Sequence, residues 1–368
     1  MAGFPFMRQA ETFLSSLPFI LLLAVFILPC PMSAAAKPRP AIAFVHLLLP
    51  PGGEPHASPA GWIGSLDRAR DTLESLRIPT IVSSASPRNA EDLNELSEMD
   101  PEVLITTSPL LYAAACDVAK RSPNTVFFAC TDETVHDNMS GFQARTYEAH
   151  YLAGLIAGAL SEDGVIGYLA NDPYQSKASR LRNANAFTLG AQKSKAAIRV
   201  LYAPGNDPDE ELKTLIAAGA DIVDLERALP SLVERLREHS VRYVGTAGRT
   251  VDPLCLAAPE WEWSNAFGDL LTQVRFGIWR PRSVSYGIKE GVVGLSPFGP
   301  AVPETVRVRV REAKEAIRNG ASPFEGPVRD VSGSLRIAEG SVPDDATLRG
   351  MDWRVQGLEP LPLTPDGL

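Results

Sequence analysis

Cysteine is scarce: the 368-residue chain has four, at positions 30, 116, 130 and 255. So few exclude a disulfide-built scaffold, and no pair has the two- or three-residue spacing of a structural zinc site. Long apolar runs are equally rare. Only the stretch from Phe13 to Leu28 is apolar enough for a membrane, which excludes a pore or multi-span transporter. Basic residues never gather into a tract. Thirty-five Lys plus Arg face 44 Asp plus Glu, a net charge of −9, so nucleic acid is not an expected partner. The five histidines, at 46, 56, 136, 150 and 239, lack ligand spacing, and no metal is expected. Gly164 to Asn171 (GVIGYLAN) is not the Gly-x-Gly-x-x-Gly turn of a dinucleotide fold, and there is no Walker A lysine and no Gly-x-Ser-x-Gly elbow. Neither a cofactor nor catalysis is expected.

What is present begins with an address. Arg8, the apolar core FILLLAVFIL from Phe19 and the small residues Ala34, Ala35 and Ala36 form a secretory signal, expected over 1–36. A retained anchor and lipidation at Cys30, after Leu28 and Pro29, are the alternatives. Three cysteines then remain. Cys116 and Cys130 suit an oxidised pair or, more simply, buried small hydrophobes.

A 45% hydrophobic and 21% charged composition is that of a folded globular chain, long enough for about two domains. Strand and helix signals alternate through it. Ala41 to Leu49 is a continuous apolar run, and Trp62 to Leu76 repeats Leu66, Ala69, Leu73 and Leu76 on one helical face. Thr80 to Ser83, Val103 to Thr106 and Thr125 to Ala129 read as strands separated by helices. The rhythm restarts after Gly141, with a helix over Thr146 to Leu160 and strands at Gly164 to Leu169, Ile198 to Tyr202, Ala220 to Val223 and Val241 to Gly245. Two mostly parallel sheets, each covered by helices on both faces, are predicted. Ligands of such sheets gather beyond the carboxyl ends of the strands.

Six blocks carry a family resemblance. QARTYEAHYLAGLIAGAL (Gln143 to Leu160), RNANAFTLGA (Arg182 to Ala191), APEWEWSNAFGDLL (Ala258 to Leu271), GIKEGVVGLSPFGPAVPE (Gly287 to Glu304), FEGPVRD (Phe324 to Asp330) and MDWRVQG (Met351 to Gly357) resemble, in order, blocks of the BMP family of ABC-transporter substrate-binding proteins. That family includes purine-base and nucleoside binders. The resemblance implies a periplasmic-binding-protein type I fold: two Rossmann-like three-layer lobes joined by three crossovers, with the ligand cleft between them. The implied lobes are 38–140 with 251–283, and 141–250 with 284–357, followed by a tail over 358–368.

Flat apolar surfaces and a few edge hydrogen bonds are what an aromatic heterocycle needs. The resemblance places Trp62, in PAGWIG, against the ligand. It also offers Ser108 and Tyr112 after the third strand, Arg182, Asn185 and Phe187 in the NAF helix, with Phe187 equally suited to the core, and Lys289 in GIKEG. By alternation Trp261 or Trp263 in PEWEW faces the cleft, and Asn138 before the first crossover is a further candidate that also suits a local backbone-satisfying turn. Several of the family's polar positions are changed. Pro59 and Ile63 flank Trp62 where the family has aspartate and asparagine; Gly205 replaces a tryptophan; Glu226 and Ala228 replace a histidine and an aspartate. The GYDSD block reads Gly245 to Arg249, which adds Arg249 as a candidate anion contact. The function implied is that of an extracytoplasmic receptor for a purine-like small molecule, including an anionic or oxo-rich relative, with ABC permease subunits as partner. A monomeric periplasmic protein is expected. A secreted nucleoside-processing hydrolase and a structural envelope protein with a vestigial cleft are the alternatives.

Overall fold

The computed structural model describes residues 40–47, 61–85, 91–131, 137–173, 175–245 and 252–362. The chain divides into a leading segment, 1–38, and one compact unit, 39–368. The signal segment and Cys30 lie outside the described residues.

The first half of the unit runs β1 (Ile42–Leu47), α1 (Trp62–Ser75), β2 (Thr80–Ala85), α2 (Glu91–Glu98), β3 (Val103–Thr106), α3 (Tyr112–Ala119), β4 (Val126–Cys130) and β5 (Met139–Ala144). There follow α4 (Thr146–Leu160), β6 (Val165–Leu169), α5 (Lys177–Ser194), β7 (Arg199–Ala203), α6 (Pro208–Ala217), β8 (Ile222–Leu225), α7 (Pro230–Glu238) and β9 (Arg242–Gly245). The remainder holds β10 (Cys255–Ala257), β11 (Pro259–Trp261), α8 (Ser264–Arg275), β12 (Ser283–Tyr286), β13 (Val293–Leu295), α9 (Glu304–Arg318), β14 (Val328–Arg329), β15 (Leu335–Ile337), α10 (Asp345–Arg349) and β16 (Leu358–Pro360).

Two six-stranded sheets result, ordered β12-β5-β4-β3-β1-β2 and β10-β9-β8-β6-β7-β16, with parallel pairing throughout. Alternation along each strand explains the double covering. Ile42 and Phe44 of β1 face the cluster that holds α1 and α8, while Ala43, Val45 and Leu47 face α2 and α3. In the second sheet Ile166 and Tyr168 face α4 and α5, and Leu169, Val223 and Leu225 face α6 and α7. The first of these clusters is continuous through both lobes; on its first-lobe side Phe142 stacks on Phe128 with centroids 4.5 Å apart and Trp263 stacks on Phe267 at 5.5 Å.

Strand pairing sets the limits of the lobes differently from the sequence reading. β5 extends the first sheet to Ala144, because Phe142 still pairs with Cys130 and Ala144 with Tyr286. Cys255–Ala257, expected with the first lobe, pairs with β9 and is an edge of the second sheet. The expected tail from 358 begins as a strand, with Leu358 fully buried and paired to Val200. Residues 363–368 lie outside the described residues. Cys116 and Cys130 are both buried and form no disulfide, which fits the hydrophobe reading rather than the oxidised pair.

Candidate functional site

In each sheet the strand order reverses at one point, between β1 and β3 and between β6 and β8. Chain segments leave such a point in opposite directions and open a crevice at the carboxyl ends. The crevice in the first lobe is bridged by Trp62, the first residue of α1, whose indole N–H donates to the Thr107 carbonyl just past β3 at 2.8 Å. His46, at the end of β1, reaches the Thr107 hydroxyl and the Asp67 carboxylate at 3.2 Å each. In the second lobe Asn171 plays the bridging part: its amide donates to the Arg227 carbonyl and its carbonyl oxygen accepts from Arg227 N–H, both at 2.9 Å.

Between these ends lies a cavity of about 70 Å³. Trp62, Pro109, Cys130 and Gln143 line it from the first lobe, and Gln175, Ser176, Ser179 and Arg182 from the second. Trp261 and Thr146 close it near the crossovers. The indoles of Trp62 and Trp261 meet edge-on, with centroids 5.8 Å apart, and the Trp261 N–H donates to the Thr146 hydroxyl at 3.3 Å. Each ring is therefore fixed by a hydrogen bond at one edge, and Trp62 also packs against Phe142 and Trp263. Arg182 is the single charged side chain lining this cavity among the described residues. It is buried, lies over the Tyr147 ring at 5.7 Å and donates to the Leu348 carbonyl at 3.2 Å. The N-terminus of α5 points the same way, capped by Ser176, whose hydroxyl accepts from Ser179 N–H at 3.1 Å.

Behind the α5 start sits a buried polar chain. Gln175 is fixed by Asp172 at 3.0 Å and by Asn183 at 2.9 Å. The Tyr168 hydroxyl donates to Glu226 at 2.9 Å, and His150 meets Asp224 at 3.0 Å. Burial pushes the Glu226 carboxyl up to about 7, reinforced by Asp172 and Asp224 and opposed by His150. Burial alone would lower His150, but Asp224, Glu226 and Asp172 together raise it. Metal-binding groups of His, Cys, Asp and Glu are absent among the described residues.

Of the residues expected at the site, Trp62, Arg182 and Trp261 come together at the cleft. Arg249 lies outside the described residues, as do the segments 48–60, 86–90 and 132–136 that follow β1, β2 and β4. The others are placed elsewhere. Ser108 turns inward to cap the short turn Pro109–Leu111, accepting from Leu110 N–H at 3.3 Å. Tyr112 packs on the core between the first sheet and α2 and α3. Asn138 stands at the amino end of β5, where its amide donates to the carbonyls of Ala119, Ser122 and Thr125. Asn185 clamps the C-terminal segment, donating to the Trp353 carbonyl at 2.8 Å and accepting from Val355 N–H at 2.9 Å. Phe187 is fully buried against Tyr168. Lys289 is exposed on a turn. The sequence reading missed Gln143, Gln175, Ser176 and Ser179; Ser176 is a cap-like serine ahead of a helix and Ser179 lies in its first turn, which was the available signal.

Three comparisons bear on what such a cleft belongs to. Residues 65–217 match the family of PnrA-like ABC-transporter substrate-binding proteins. A purine-binding protein of Brucella abortus is 27% identical over 346 residues, 89% of this chain and 95% of that one. A putative ABC transporter glucose-binding protein of Haloferax volcanii is 28% identical over 310 residues, 77% of this chain and 78% of that one. Among solved structures, an ABC-transporter solute-binding protein from Conexibacter woesei superposes with a TM-score of 0.60 at 17% identity, covering 76% of this chain and 97% of that one, a likeness of fold. The chain is thus similar, over residues 65–217, to the BMP-type ABC-transporter substrate-binding proteins, and it shares the two-lobed fold of type I periplasmic binding proteins.

Proposed function

We propose that the chain delivers an oxo-bearing purine base, or a close heterocyclic relative, to an ABC permease by closing its two lobes over that ligand. The observation that carries the reading is the lining of the cleft: two edge-fixed indoles, Trp62 and Trp261, beside a buried guanidinium, with no carboxylate in the lining among the described residues. Indole faces suit a flat ring, and Arg182 with the α5 amino end suits acceptor oxygens on its edge. The purine-binding relative supports the class of ligand, while the glucose-binding name of the second relative makes sugar the competing class. The signal-like leading segment supports a periplasmic receptor, free or held at Cys30.

Closure follows from the position of the ligand. Residues from both lobes line the cavity, so a bound molecule touches both, and its binding energy favours the closed form over the open one. A cavity of about 70 Å³ is below the roughly 300–1,000 Å³ of small-molecule pockets, so the lobes must part to admit the ligand. The same small volume favours a second reading, an envelope protein whose vestigial cleft is filled by its own tryptophans. Titration calorimetry with xanthine, hypoxanthine, adenine and glucose separates these. The proposal expects xanthine or hypoxanthine to bind best, with about a tenfold or greater loss in Trp62→Ala and a selective loss of the oxo-purines in Arg182→Met. Binding of glucose alone transfers the function to sugars, and silence across the panel supports the vestigial cleft.

A further inference from the structure

A second cavity, about 420 Å³ in volume, lies against the crossovers and shares a single wall, Trp261, with the ligand cleft. Its floor is apolar, made by Ile288, Val292, Val293 and Trp261, all buried. Its rim is charged, with Arg68 from α1, Glu260 in β11 and Glu262 just after it, and Lys314 and Arg318 from α9.

Most of those charges are engaged. Arg318 pairs with Glu315 at 2.9 Å, Arg68 donates to the Trp261 carbonyl at 3.5 Å, and the Glu262 carboxylate accepts from Ser264 N–H at 3.0 Å and from its hydroxyl. Lys314 differs. It is half-buried, and no carboxylate lies within ion-pair distance of its ammonium among the described residues. Opposite it stands Gly294, in the centre of β13. Its φ is not in the left-handed region, so the backbone does not demand glycine there. A Cβ at 294 would meet one atom within 4 Å, the Lys314 Nζ at 3.7 Å. The missing side chain keeps open the space in front of the ammonium.

We propose that this groove is a second small-molecule site, selective for a compact organic monocarboxylate with an apolar body. The carboxylate meets Lys314 in partly desolvated surroundings, where a charge-assisted hydrogen bond gains strength. The hydrocarbon part lies on Val292, Val293 and the outer edge of Trp261. Glu260 and Glu262 on the rim discriminate against a dianion, since a second negative charge would face both carboxylates.

The test uses hexanoate and benzoate as probes, with hexanol and hexyl phosphate as controls, in titration calorimetry on the whole secreted chain. Saturable binding of both carboxylates is expected, weakened at least about tenfold in Lys314→Met, largely restored in Lys314→Arg and blocked in Gly294→Leu. Xanthine affinity of Lys314→Met should stay within about twofold, and its melting temperature should be unchanged, because the residue is outside the cleft and the core. Absence of saturable binding, equal binding by Lys314→Met, equal affinity for hexanol or tighter binding of hexyl phosphate overturns the proposal. None of these outcomes depends on the identity of the cleft ligand.

Discussion

Arg145 stands where the chain first leaves the first sheet, and its backbone and side chain bind two crossovers together. Its N–H donates to the Tyr286 carbonyl at 2.7 Å, and its guanidinium reaches Glu148 at 2.8 Å, the Ser285 carbonyl at 3.0 Å and Glu290. Glu148 is buried and also accepts from Ile288 N–H at 2.7 Å. Burial raises its carboxyl, opposed by the Ile288 N–H and by Arg145. Removing the guanidinium in Arg145→Met leaves that carboxylate uncompensated, and urea denaturation should register a loss of about 3–5 kcal/mol. A second residue-scale consequence concerns pH. Glu226 has an ordinary value of 4.5 when unfolded and about 7 when folded, so the folded chain holds an extra proton between the two. Stability therefore falls as pH rises through about 4.5 to 7, and the raised His150 acts in the same direction as its proton is lost. Chemical denaturation from pH 5 to 8 should show this decline, and Glu226→Gln, which keeps an acceptor for the Tyr168 hydroxyl, should flatten it.

At the scale of elements, the pairing of α4 with α5 explains two of the blocks that carry the family likeness. The helices approach so closely that a Cβ on Gly154 would lie 2.1 Å from the Phe187 carbonyl oxygen, and one on Gly190 2.1 Å from that of Tyr151. Gly154→Ala must push the helices apart. A loss of about 1–3 kcal/mol or more, with a lowered melting temperature, is expected from that overpacking. The helix and strand sequence itself was legible, because apolar runs covered on both faces and a 3.6-residue spacing have few other readings. Residue roles were less so. Asn185 and Phe187 sit in a recognisable block, yet one clamps the C-terminal segment and the other fills the core. A helix start such as Gln175 to Ser179 reaches the cleft through tertiary placement, which composition and spacing do not encode. The edge strands β10 and β16 are short, and their pairing partners are distant in sequence, so periodicity carried no sign of them.

The whole molecule is two parallel sheets whose reversal points face one another across a narrow cleft, with a hydrophobic core continuous between the lobes. Trp62 and Asn171 mark those points: the first joins the start of α1 to the end of β3, and the second joins the ends of β6 and β8. The changed family positions around Trp62 and the single cation in the lining direct the proposed specificity towards acceptor-rich rings. Small-angle scattering of the purified chain, titrated with xanthine and then with glucose, tests the central claim that a flat guest draws the lobes together. A saturable contraction with xanthine that is absent in Trp62→Ala and absent with glucose is the predicted result. An unchanged profile with xanthine while calorimetry records binding, or a contraction with glucose alone, contradicts it.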